Sequence, residues 1–236
     1  MKIKKYIPLL LFLVMGLTGL GIMLYPTISN YLNEKAQEKL VEEYRRQAEA
    51  LEQAAYDAMF KQAEAYNSEL FASGIDFQNI KDCREDLERK GYKYEEILKV
   101  EGSTVMGYLV IDKLDLCLTI GYGTSEEVLE KSVGHMEGTS MPIGGKNTHA
   151  VLFGHSGLPS AELFTDLEQM EIGDTFEVHV LNRTLTYEVD QILVVTPDVT
   201  EDLKIEEGKD YVTLVTCTPY AVNTHRLLVR GVRVPE

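Results

Sequence analysis

A chain of 236 residues allows one sizeable domain with appendages. Its net charge of −15 argues against nucleic acid and against an anionic membrane surface as partners. Its three cysteines, Cys83, Cys117 and Cys217, are an odd set that builds no disulfide framework, and at least one must be free. No Cys-x-x-Cys or His-x-x-x-His spacing supports a zinc site, and there is no glycine-rich phosphate loop.

Residues 7–25 form an apolar run without a charge. As a helix this run spans roughly 28 Å, the thickness of a bilayer core. Lys2, Lys4 and Lys5 precede it and acidic sequence follows, so the N-terminus is expected inside the cell and the folded part outside. The alternative is a cleaved signal peptide, but the run is long and no Ala-x-Ala site follows. Residues 28–70 then read as one long helix, rich in Glu, Gln, Ala and Lys and free of Pro and Gly. Val41, Tyr44, Ala48, Leu51 and Ala55 recur at spacings of three and four. With Phe60 and Tyr66, the tyrosine and leucine of that stripe need cover, which predicts an arm packed on the domain rather than a solvated helix. Gly74 closes this region.

The domain opens with strands over 106–112 and 114–120, a turn at 121–123 and a short capped helix over 125–131. A loop over 134–146 leads to an apolar strand over 150–153. Residues 158–169 read as partly helical. Strands over 175–181 and 184–195 flank Asn182-Arg183 as a hairpin. Residues 202–208 form an acidic loop or helical turn, which offers at most weak calcium binding. Strands over 211–217 and 227–234 close the chain. Many strands of this length with short connections predict a mainly β, closed or nearly closed barrel.

The last two strands carry the chemistry. Paired antiparallel across their short loop, they set Cys217 opposite Arg226 on one face. A thiolate is a nucleophile, a cation beside it favours the charged form, and a guanidinium fork can hold an oxyanion. His155 leaves the 150–153 strand between two glycines and supplies a base. Its rivals fit less well. His179 is mid-strand, His135 and His149 lie in or beside a loop, and His225 points away from Arg226. Cys83 sits in a charged helical segment, and Cys117 alternates inside a strand as a core residue does. Arg230 and Arg233 lie further along the strand and are expected to be solvated. Gly154-His-Ser-Gly-Leu158 is not the Gly-x-Ser-x-Gly elbow, so Ser156 is no nucleophile. From the pattern alone, Cys217 is as readily a buried apolar filler as a catalyst.

Three sequence words decide further. Thr213-Leu-Val-Thr-Cys217 with Arg226 following resembles the active-site signature of the sortases. Gly154-His-Ser-Gly-Leu-Pro-Ser-Ala-Glu-Leu-Phe164 and Asn223-Thr-His-Arg-Leu-Leu-Val-Arg-Gly231 resemble the pilus-building class C sortases, and the likeness runs over 107–234. The resemblance implies an eight-stranded sortase barrel with its active site in a groove at one edge. It implies a membrane anchor over 1–27, a helical arm and possible lid over 28–102, and a catalytic domain over 103–236. Cys217 would attack the Thr–Gly bond of an LPXTG-like sorting signal, His155 would act as acid and base, and Arg226 would orient the substrate and stabilise the oxyanion. The thioacyl intermediate would pass to a pilin lysine without a cofactor or metal.

Thr213 and Thr216 flank the nucleophile and are candidates for shaping the groove, though strand propensity alone explains them. Class C lids carry an Asp-Pro-aromatic motif. Asp76 and Phe77 stand at that position without the proline, or else they start a surface helix and plug a gap. Where the family usually has Arg after its histidine, this chain has Ser156. Many class C enzymes end in a second membrane helix, and none follows Val234. That keeps open a sortase of another class, with a peptidoglycan-precursor amine as acceptor. The reading furthest from these is a non-catalytic, membrane-tethered interaction protein.

Overall fold

The computed structural model describes residues 7–74, 80–158, 161–220 and 222–235. It begins with α1 (Ile7–Glu49), whose first part is long and apolar enough to cross a membrane and whose side chains from Leu10 to Tyr25 are almost all exposed. The helix does not stop at the end of that run. It continues through Pro26 into the arm, so the arm is the second half of α1 followed by a separate helix, α2 (Gln53–Ala72), not one helix over 28–70. The break falls at residues 50–52, where Glu52 is extended and its carbonyl accepts from the amides of Ala55 and Tyr56. Nothing in local propensity marks it. The Tyr56 hydroxyl donates to the Ala48 carbonyl at 2.6 Å across the break, and the turn lets α2 fold back to bury Tyr56, Phe60, Tyr66 and Leu70 in the main core.

The arm packs on the barrel, as the apolar stripe requires. Val41, Tyr44 and Ala48 join Val100, Val105 and Tyr108 in a cluster of their own. The Tyr44 hydroxyl donates to the Met106 carbonyl and accepts from the Leu181 amide, both at 2.8 Å. Gln37 is buried and accepts from both the amide and the hydroxyl of Thr119. A short helix, α3 (Ile80–Arg89), leads into the domain.

Eight strands close into a barrel: β1 (Val105–Ile111), β2 (Leu116–Tyr122), β3 (Val133–His135), β4 (Thr148–Phe153), β5 (Thr175–Val180), β6 (Arg183–Val195), β7 (Asp210–Thr218) and β8 (His225–Arg233). Their order is β1-β2-β3-β4-β7-β8-β6-β5. The β2–β3 and β4–β7 pairs are parallel and the others antiparallel. Several boundaries differ from expectation. β2 runs through the expected turn at 121–123, because Gly121 pairs with Gly134 of β3. β3 itself lies partly in the expected loop, and three residues around a glycine are too short to show an alternation. A side chain at Gly134 would come within 2.3 Å of the Gly123 carbonyl oxygen, so glycine is required by the close approach of two backbones. Within the partly helical stretch, residues 163–166 form turns and the helical part is a single 3₁₀ turn at Leu167–Gln169, with Gly157 and Leu163 at positive φ. The hairpin turn is Leu181-Asn182, with Leu181 at φ 53°, one residue earlier than expected. Ser125 precedes α4 (Glu126–Leu129) without a side-chain cap, and its backbone carbonyl accepts instead.

The Tyr44 hydroxyl ties the Met106 carbonyl and the Leu181 amide to the arm, so its removal takes a partner from a buried carbonyl and from an amide. Tyr44→Phe should destabilise the fold by about 1–3 kcal/mol, read as a lowered midpoint in urea unfolding with an unchanged slope.

Candidate active site

The site grows out of the alternation of β7 and β8. Val212 and Leu214 of β7, with Leu227 and Val229 of β8, point into the main core. Val215 and Leu228 point outward and join Val151 and Leu203 in a separate cluster. Cys217 and Arg226 continue that outward row and are paired in register. On the other side of β7, β4 runs parallel to it, with Phe153 beside Val215 and the Gly154 amide donating to the Val215 carbonyl at 3.0 Å. His155 and Cys217 each lie two residues beyond that last pair. Three residues remote in sequence are therefore carried to the same end of three adjacent strands. Each is partly buried, and Cys217 is a free thiol.

Arg226 is held by its own loop, since its Nη1 donates to the carbonyls of His225 at 3.0 Å and Asn223 at 3.3 Å. Among the described residues no carboxylate pairs with it. The His155 loop is fixed by several contacts, among them the Gly157 amide donating to the Thr165 hydroxyl at 3.0 Å. The Thr216 hydroxyl donates to the Gly154 carbonyl at 2.7 Å, and the Phe164 amide donates to the His155 carbonyl at 3.0 Å. The Phe164 ring lies against Gly154 and the Tyr220 ring against Gly157, where a side chain would come within 2.6 and 2.8 Å of them. Between these loops is a cavity of about 160 Å³ lined by Cys217, Ser156, Asp166, Glu168, Tyr220 and their neighbours. Sequence reasoning had not singled out Phe164, Asp166, Glu168 or Tyr220. The paired glycines around His155 were the one hint that aromatic rings close over that loop.

Thr216 faces inward, is buried and lines the cavity beside Cys217. The remaining candidates fall elsewhere. Thr213 is also buried, four residues from Cys217, with its hydroxyl 2.7 Å from His149 Nε2. Asp76 and Phe77 lie outside the described residues. Cys83 is carried on α3, and burial pushes the Cys117 thiol above its usual range. No group of three metal-ligating side chains occurs among the described residues.

His135 ends β3 and His149 is the second residue of β4, so both flank the loop between those strands. Each is buried, with His135 bonded to Tyr94 and Ser140 and His149 to Lys204 and Thr213. Arg230 is not solvated. It forms a two-pronged pair with Asp190 at 2.9 and 3.0 Å and lies over the Tyr211 ring. Arg233 donates to the carbonyls of Thr186 and Val234. The short separation of these arginines along β8 hides the fact that Asp190 and Glu206 converge on the first of them.

With this geometry in hand, likeness to known proteins is informative. The Sortase domain family matches residues 109–234, more than half of the chain, and the chain belongs to the sortase family of cysteine transpeptidases. Its structural neighbours are class C pilus sortases. The crystal structure of sortase C1 from Streptococcus agalactiae is 44% identical, with a TM-score of 0.74 over 84% of this chain and 99% of that one. Sortase C of Streptococcus pneumoniae is 39% identical, with a TM-score of 0.74 over 84% and 97%. Sortase C of Clostridium perfringens, whose structure includes the C-terminal cell wall sorting motif, is 39% identical, with a TM-score of 0.71 over 83% and 98%. Among curated relatives, sortase D of Bacillus subtilis is 29% identical over 60% of this chain and 70% of that protein.

Burial holds the two strand histidines near pKa 4, below their ordinary value of 6.5. Both are neutral in the fold, and on unfolding each takes up a proton between those values. Their stabilisation is complete above about pH 6.5 and is lost as pH falls towards 4, by up to about 1.4 kcal/mol per pH unit for each. Urea midpoints measured across that window should fall steadily with acid, and less steeply in His149→Gln.

Proposed function

We propose that this sortase is a membrane-tethered class C transpeptidase that joins an LPXTG-like sorting signal to a lysine amine of a pilin subunit, with Cys217, His155 and Arg226 as its catalytic set. The observation that carries the reading is the double register of β7, with Arg226 across from Cys217 on one side and β4 delivering His155 on the other.

In this mechanism the Cys217 thiolate adds to the threonine carbonyl of the signal. The Arg226 fork donates to the oxygen that gains charge. The carbon–nitrogen bond to glycine breaks as His155 gives its proton to the departing amine, leaving a thioester on Sγ. An incoming amine then attacks the thioester carbonyl and loses a proton to His155, and the sulfur leaves as thiolate. Thr216 acts as a positioning residue through the Gly154 carbonyl. Thr213 acts one layer below, through His149. Asp76 and Phe77 are proposed as a lid from their sequence position alone. The cavity beside the sulfur is lined by Asp166 and Glu168 and by no cation, which suits an approaching lysine ammonium. Residues 7–25 anchor the chain, with the N-terminus inside and the barrel outside.

Incubation of the protein with a sorting-signal peptide and purified pilin should give covalent ladders and a thioester adduct on Cys217. Cys217→Ala should abolish both while unfolding unchanged in urea, and Arg226→Lys should lower turnover about 100-fold by losing the fork. Ladder formation by Cys217→Ala would falsify the assignment. Transfer only to peptidoglycan-precursor amines would move the enzyme to a cell-wall-anchoring class.

Gly157→Ala tests the loop geometry. A methyl at φ 78° collides with the Tyr220 ring and shifts the turn that carries His155. Turnover should fall about tenfold or more with little change in KM for the peptide.

A further inference from the structure

The strand registers give the barrel two distinct ends. Leu116 at the start of β2 is paired with Ile111 at the end of β1. β2 runs parallel to β3, β3 antiparallel to β4, and β4 parallel to β7. The start of β2 therefore lies at the same end as the end of β4, the end of β7 and the start of β8, which is the end that carries His155, Cys217 and Arg226.

The α1 helix crosses the barrel in a fixed direction. Asn30 and Asn33 line a cavity with Leu114, Leu116 and Cys117 at the Cys217 end. Gln37 then meets Thr119, and Tyr44 meets Met106 and Leu181 at the opposite end. From Asn30 to Tyr44 the helix rises about 21 Å, roughly the length of a seven-residue strand. The apolar run therefore leaves the barrel from the Cys217 end. Five residue steps, about 8 Å of helix, carry the chain from Tyr25 to Asn30. Pro26 lies in that interval and the helix continues through it.

A second observation is independent of the helix. Outside α1, the large apolar side chains exposed among the described residues are Phe71, Ile172, Val194, Val199, Tyr220 and Val222. All but Phe71 lie at the Cys217 end: before β5, at and after the end of β6, and in the β7–β8 loop. Ile172, Val194, Tyr220 and Val222 are each 61–63% exposed, which is costly in water unless something covers them. The phenol of Tyr220 is of the kind that settles at a lipid–water interface.

We propose that the Cys217 end of the barrel rests on the bilayer, with the β7–β8 loop and the turn at Ile172 as its lipid contacts. Apolar tips make the contact and charge does not, since Asp115, Glu162 and Glu171 occupy the same end and the chain is strongly acidic. The thiol then meets its acyl donor at the lipid surface. The proposal rests on the reading of residues 7–25 as a membrane span.

The chain contains no tryptophan, so single probes are read without background. The full-length protein is placed in phosphatidylcholine vesicles whose acyl chains are brominated near the headgroup, with Tyr25→Trp, Ile172→Trp, Val222→Trp or Phe71→Trp as the reporter. Tyr25→Trp should be strongly quenched, and Ile172→Trp and Val222→Trp severalfold more than Phe71→Trp. A quenched Tyr25→Trp with Phe71→Trp equal to or above the other two overturns the orientation and leaves the anchor intact. The orientation also falls if Tyr25→Trp is quenched and none of the other three is. An unquenched Tyr25→Trp overturns the anchor, and the proposal with it.

Discussion

The placement of β7 between β4 and β8 is the constraint on which the rest of the molecule depends. Side chains alternate along a strand, so a slip of one residue against either neighbour would turn the whole row over. Val212 and Leu214, with Leu227 and Val229, fill the main core, and they hold the register by burial alone. A slipped β8 would drive Arg226 towards that core, where a charge without a partner is very costly. Thr216 is a buried polar side chain on the inner face near the site, and its hydroxyl is satisfied by the Gly154 carbonyl. The outward position of Cys217 and Arg226 is thus a consequence of how the core is filled.

The same economy holds around the outer face. The segment between β6 and β7 covers Val151, Val215 and Leu228 with Leu203. It is tied down by His149 to the Lys204 carbonyl, by Asn147 to the Gly208 amide and by Arg230 to Glu206. Of these polar contacts at the edge of an apolar patch, the one at His149 is buried and its loss would leave a buried group unpaired, whereas those at Gly208 and Glu206 are exposed. The arm does for the opposite side what this segment does here. Gln37 and Tyr44 each satisfy barrel groups and carry the apolar stripe onto β1 and β2.

How much of this is written locally varies with the element. The β7 strand is legible because it is a β-branched, apolar run that Pro219 stops, β8 because a second apolar run follows, and the Cys217–Arg226 pairing follows from the short connecting loop. β3 is not legible, because three residues around Gly134 carry no period and exist as a strand only through their neighbours. The burial of His135 and His149 is not legible for the same reason. It comes from tertiary partners such as Tyr94 and Lys204 that lie 41 and 55 residues away. The helix break at 50–52 is likewise invisible, since it is the packing of α2 on the barrel that stabilises it. Of the site, the reactive side chains were readable as types at strand ends. The rings of Phe164 and Tyr220 were not, because only the folded chain shows that Gly154 and Gly157 leave room for them.

The charge around the sulfur is sorted by strand. Arg226 belongs to β8, on one side of Cys217. The segment that follows β4 supplies Ser156, Asp166 and Glu168 on the other, where no cation lines the cavity. An acyl-transfer reaction makes opposite demands at its two reactants: the carbonyl oxygen gains negative charge, while an acceptor amine arrives positive and must shed a proton. On the proposed mechanism, a fork on one flank and carboxylates on the other would meet those demands without either group neutralising its counterpart, since no ion pair joins Arg226 to Asp166 or Glu168 among the described residues. On the same proposal Ser156 would contribute by what it omits. An arginine there would place a cation against the carboxylates and quench the field that the open cavity would present to an incoming ammonium.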